Sequence, residues 1–96
     1  MQDKITKEKL EHYFAVTQKA LFMVKEKGFD ETRKKDADDF YDMASRYYSD
    51  AKHFYSEGDF INAFAAVNYA HGWLDAGARI GLFKVKDSKL FTVDDE

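Results

Sequence analysis

The sequence predicts an all-α fold, an up-and-down three-helix bundle with a short C-terminal tail, and three observations carry that expectation. Proline is absent, so no residue blocks a helix by its ring or its missing N–H. Gly28, Gly58 and Gly81 are spaced like the ends of three successive helices. Between them, apolar residues recur at steps of three and four.

At 96 residues the chain has room for one modest core. Its 45% hydrophobic and 17% aromatic content argues against disorder. With no cysteine, neither a disulfide nor a thiolate metal site can form, and a reducing cytoplasm is the expected location. No apolar run reaches the roughly 20 residues of a membrane span, and MQDKITKEKL has no apolar signal core. The formal charge of -3, with bases and acids interleaved, speaks against a nucleic-acid partner.

The first helix is expected from Thr6 to Lys27. Thr6 suits the N-cap, and Ile5 and Leu10 take the positions of a hydrophobic staple. Leu10, Phe14, Thr17, Leu21 and Val24 form its core stripe. Gly28 is expected in the left-handed position beyond its end. Phe22 lies off the stripe.

The second helix is expected from Glu31 to Glu57, capped by Asp30. Ala37, Phe40, Tyr41, Ala44, Tyr47, Tyr48, Ala51, Phe54 and Tyr55 share one face, and Asp39, Asp42, Arg46, Asp50 and His53 the other. The polar run ETRKKDADD at its start is expected to fray. Gly58 ends this helix and Asp59 caps the next, so the two form a tight antiparallel hairpin.

The third helix, within DFINAFAAVNYAHGWLDAGARIGL (59–82), is apolar on two opposite sides. Phe60, Ala63, Phe64, Val67, Ala70, Leu74 and Ala78 make one stripe. Ile61, Ala65, Tyr69, Trp73, Ala76 and Ile80 fall roughly opposite. One stripe suffices for a bundle, so the second is surplus and reads as a contact surface. Its expected occupant is a second copy of the chain, with Phe22 extending the patch; the chain's own tail is the alternative. Gly72 and Gly77 are expected to admit another backbone at close range.

The bundle is taken to span 1–83 and the tail 84–96. Phe83, Val85, Phe91 and Val93 alternate with polar residues around Asp87–Ser88, as in a weak β-hairpin that would need a surface to lie on. The alternative is an acidic end without structure.

Positions 47–83, YYSDAKHFYSEGDFINAFAAVNYAHGWLDAGARIGLF, resemble the hallmark segment of a small archaeal family known as domain of unknown function 357. YAHGWLDAGARIGL at 69–82 is its most specific piece, preceded by DAK at 50–52 and GD at 58–59. The resemblance implies a three-helix bundle from an archaeal cytoplasm. It brings no established function and no catalytic residue.

Three polar constellations remain. His71, Asp75 and Arg79 stand four residues apart on one edge of the third helix. They are either an ion-pair ladder or a ligand site with an imidazole, a carboxylate and a guanidinium. Arg46 and His53, on the polar face of the second helix, match the loose spacing of HEPN-type helical ribonucleases and could serve phosphodiester cleavage in a dimer. Asp36, Asp38, Asp39 and Asp42 supply oxygen ligands, but a solvated acidic face explains them better than a metal site. The expectation is therefore a non-enzymatic helical interaction module, without cofactor, that binds itself or another protein. Its candidate contact residues are Tyr69, His71, Trp73, Asp75, Arg79 and Ile80. The alternatives are a small-ligand bundle around His71, Asp75 and Arg79, or an Arg46/His53 nuclease.

Overall fold

Thr6 starts the first helix as its side chain predicts: the backbone there is extended, and Oγ1 accepts the Lys9 N–H at 3.1 Å. The computed structural model describes residues 5–87 and 89–91. Helix α1 runs Lys7–Lys27. Gly28 then donates its N–H to the Val24 carbonyl at 2.9 Å. Its φ of 90° is paired with a ψ of -179°, so the turn uses an extended glycine conformation where a left-handed helical one was expected.

The run after Gly28 does not fray at its start. Asp30 accepts the Thr32 N–H at 3.0 Å and pairs with Arg33 at 2.8 Å. Arg33 also reaches the Ile80 carbonyl at 3.0 Å. These bonds hold one 3₁₀ turn, Glu31–Arg33, ahead of helix α2, Lys34–Ser56. They hold the Asp30 carboxyl at about 2, below its ordinary 3.8, chiefly through Thr32 and then Arg33.

Gly58, at φ 76°, turns the chain, and the Asp59 N–H bonds the Phe54 carbonyl at 2.9 Å. Asp59 caps helix α3, Phe60–Arg79, by accepting the Asn62 N–H at 3.2 Å. Helix α3 is central. It packs along α2 and also carries α1, whereas α1 and α2 meet sparingly.

The core is built on alanine. Ala20, Ala37, Ala44, Ala51, Ala63 and Ala70 are fully buried, together with Leu10, Val24, Val67 and Leu74. Phe14, Leu21, Phe40, Tyr48 and Phe64, expected at the centre, are half-buried and pack at its margins. Small residues let the helix backbones close together, which displaces rings to the flanks. The result is two clusters in place of the single core expected. One holds Leu10, Ala51, Ala63, Ala66 and Val67. The other holds Val24, Ala44, Leu74 and the tail.

The described residues of the tail pack against the helices, and among them there is no hairpin. After Gly81 (φ 79°), the Leu82 N–H bonds the Gly77 carbonyl at 2.8 Å and ends α3. One antiparallel bridge joins Phe29 to Phe83, and among the described residues there is no strand. Leu90 and Phe91 instead donate to the Asp87 carbonyl at 3.2 and 2.9 Å. Ser88 and Val93 lie outside the described residues. Leu82, Phe83, Val85, Leu90 and Phe91 are all buried. A Cβ at Gly77 would overlap the Phe83 ring, so this glycine admits a side chain where a backbone was expected. Burial of these five side chains in the core cluster explains why no strand partner is needed.

Candidate functional site

Two sets of partners divide the sides of α3 between them, and a third side is left bare. Its core side meets α1, α2 and the tail. Its outward side presents Ile61, 78% exposed, with Tyr69 and Ile80, each 53% exposed. Asn62, Ala65, Asn68, Gly72 and Ala76 are exposed among them. From Phe60 to Ala78 the only Asp, Glu, Lys or Arg is Asp75, which is half-buried on the flank that carries His71. The outward face therefore runs nearly the length of the helix without a formal charge until Arg79.

Trp73 does not belong to that exposed set. It turns into α2, edge-to-face with Phe40 at 5.0 Å. Its Nε1 is buried and has no hydrogen-bond partner among the described residues. Tyr69 leans on Tyr47 at 4.4 Å, so α2 fixes one border of the face. The α2 aromatics thus claim part of the stripe expected to be surplus. Phe22, 61% exposed, lies elsewhere. It shares a flank of α1 with Gln18 and Ala15, four and seven residues back, beside α2.

His71 is a buckle. Its Nε2 lies 2.6 Å from the Leu90 carbonyl, which can only accept, so Nε2 carries the proton. Nδ1 then accepts from the buried Thr17 hydroxyl at 3.1 Å. The ring stacks on Phe91, with centroids 6.4 Å apart. One imidazole thereby joins α1, α3 and the tail, and both ring nitrogens are engaged within the fold. Asp75 stands 3.7 Å from Nε2, while Arg79 is exposed at the helix end and makes no ion pair with a described residue. A cleft of about 280 Å³ opens beside this group, lined by Tyr13, Thr17, Asn68 and Asp75. The sequence held His71 in view, but Leu90 carried no signal that would have paired them.

Arg46 and His53 are exposed, and each is tied to an acid four residues away, Asp42 on α2 at 2.9 Å and Glu57 just past its end at 3.1 Å. Of the acidic run, Asp38 pairs with Lys34 at 2.8 Å. No three metal-ligating side chains converge among the described residues.

A groove of about 480 Å³ separates α1 from α2, lined by Phe14, Ala15, Tyr48, Lys52 and Tyr55. The Tyr55 hydroxyl donates to Glu11 at 2.5 Å, and that carboxylate raises the tyrosine's pKa. Burial raises that of Tyr48. Sequence reasoning missed the groove because Phe14, Tyr48 and Tyr55 all sit on core stripes, and nothing local reveals that their helices stand apart.

Among the described residues no helix is long and apolar enough to cross a membrane. No curated protein and no solved structure matches the chain. The family described as protein of unknown function (DUF357) matches over residues 12–83. With the match covering most of its length, the chain belongs to that family.

Proposed function

We propose that this protein is a non-enzymatic helical interaction module whose contact surface is the outward face of α3. One observation carries the reading: a 20-residue helix in a chain that is 34% charged exposes an apolar side free of acids and free of bases until Arg79. Solvated faces here look different. That of α2 presents Asp39, Asp42, Arg46, Asp50 and His53. Isolated exposed apolar residues are ordinary, whereas an aligned and uncharged set marks a partner surface. The partner is a protein and the setting a cytoplasm, in keeping with the absence of cysteine and the acidic net charge.

Ligand binding at His71 is less well supported, because both ring nitrogens already hold Thr17 and Leu90. Cleavage by Arg46 and His53 is weaker still, since each is paired with an acid four residues away in the chain. The test is a photo-crosslinking residue placed at Ala65 or, as control, at Asp39, with purified protein and with cell extract. Crosslinks to protein are expected from position 65 alone. Equal yields from both positions, or none from either, would remove the reading.

A further inference from the structure

Read from either end, the outward face of α3 presents an isoleucine and then an alanine before a central pair of one tyrosine and one glycine. Ile61 and Ile80 close its ends, Ala65 and Ala76 lie next inside, and Tyr69 and Gly72 flank the middle. Each pair sums to the same position number, so a two-fold axis between residues 70 and 71 would bring Ile61 beside Ile80 of a second copy. The same axis would set Ala65 beside Ala76 and Tyr69 beside Gly72. All six residues are exposed in this chain.

From this we infer that two copies of the chain pair through α3 in antiparallel fashion, with Tyr69 of each seated on Gly72 of the other. The inference rests on the reading of this face as a contact surface and names its occupant. Three physical features select this arrangement.

The first is shape. Nothing lies within 4 Å of where a Cβ on Gly72 would sit, so the helix has a notch there that an incoming ring can enter. Alanines on both sides allow the axes to come close, and the isoleucines cover the ends.

The second is charge. Arg79 is the basic residue in the last turn of α3, and Asp59 caps its start with Asn62 bonded to it at 2.7 Å. Antiparallel pairing sets Arg79 of each copy near Asp59 and Asn62 of the other. Parallel pairing would set Arg79 against Arg79 and Tyr69 against Tyr69. Antiparallel helices also place opposite dipole ends together.

The third is extent. Nineteen steps from Ile61 to Ile80 span about 28 Å at the helical rise, enough for a continuous two-helix contact. A single helix pair buries modest area, so the dimer is weak and populated at about 100 µM more than at about 1 µM.

The native chain has no cysteine, which gives a direct test. Ile61→Cys and Ile80→Cys proteins are mixed, oxidised and resolved by mass. The mixed disulfide is expected to dominate, with little disulfide between two Ile61→Cys chains or two Ile80→Cys chains. Alongside, Gly72→Lys fills the notch where the free chain has open space. Circular dichroism should show the fold kept, while sedimentation should show dimerisation weakened at least about tenfold. Wild-type protein that stays monomeric at high concentration overturns the inference, as do same-site disulfides or a Gly72→Lys dimer of undiminished affinity. A monomer that still crosslinks a foreign protein from position 65 sinks the dimer and leaves the contact surface standing. A monomer that crosslinks nothing sinks both.

Discussion

The two ends of this bundle solve the same packing problem differently. At one end Leu10, Ala51, Ala63, Ala66 and Val67 are enclosed by Ile5 and a set of rings: Tyr13 on Phe64 at 5.2 Å, Phe14 on Tyr55 at 5.6 Å, Tyr55 on Phe60 at 5.3 Å. The rings come from the helices themselves, and a groove stays open between α1 and α2. At the other end a fourth segment closes the core. Phe83 covers Gly77, Leu90 and Phe91 pack beside His71, and the backbone of 82–84 bonds the loop at 28–30. An aromatic shell leaves its rings half in water, whereas an added segment buries large side chains fully. The tail is therefore part of the core and not an appendage to it.

If the tail is what holds its end together, Phe83→Ala should be the most damaging change, at about 3–5 kcal/mol. Phe83 is 2% exposed and is the largest side chain in the fully buried set. Hydrogen exchange should quicken around Ala37–Ala44 and Leu74–Ala78 and less around Ala51–Val67. An equal rise at both ends would show one cooperative unit and erase the distinction drawn between them.

Gly77→Ala approaches the same contact from the other side. The added methyl cannot coexist with the Phe83 ring, so overpacking should cost about 1–3 kcal/mol even though alanine is the better helix former. A Gly77→Ala protein that melts higher than wild type would mean the tail does not dock there. Gly72→Ala is the control, since it gains helix propensity with nothing nearby to hit.

Thr17→Val keeps the shape of a buried side chain and removes the hydroxyl that holds His71. A loss of about 0.5–1.5 kcal/mol is expected in chemical denaturation, with the resonances of Leu90 and Phe91 shifted. Unchanged tail resonances would show that the buckle is ornamental.

The smallest effect concerns Asp30, at the loop the tail leans on. Its folded pKa of about 2 lies below 3.8, so its contribution is complete above the higher value and fades as pH falls through the lower. Asp30→Asn should thus be less stable than wild type at neutral pH, and the two should converge near pH 2. A gap that persists at low pH would point to a cause other than the carboxylate.

Much of the architecture was legible before any coordinates. Thr6, Asp30 and Asp59 announce helix starts because a short oxygen-bearing side chain can meet an unpaired N–H, a purely local event. Gly28, Gly58 and Gly81 announce the ends, all with positive φ. Periodicity located both apolar sides of α3, and with them Ile61, Tyr69 and Ile80. Tertiary structure decided the rest, because each remaining question turned on residues far apart in the chain. Alternation in the tail suits a strand, yet Phe83, Leu90 and Phe91 found burial against α1 and α3, which no local pattern encodes. His71, Asp75 and Arg79 share a helix edge, but the bonds His71 makes are to Thr17, 54 residues away, and Leu90, 19 away. Trp73 and Tyr69 belong to one sequence stripe and part company because Phe40 and Tyr47 approach from α2. Which apolar stripe is core and which is surface depends on what arrives to cover it.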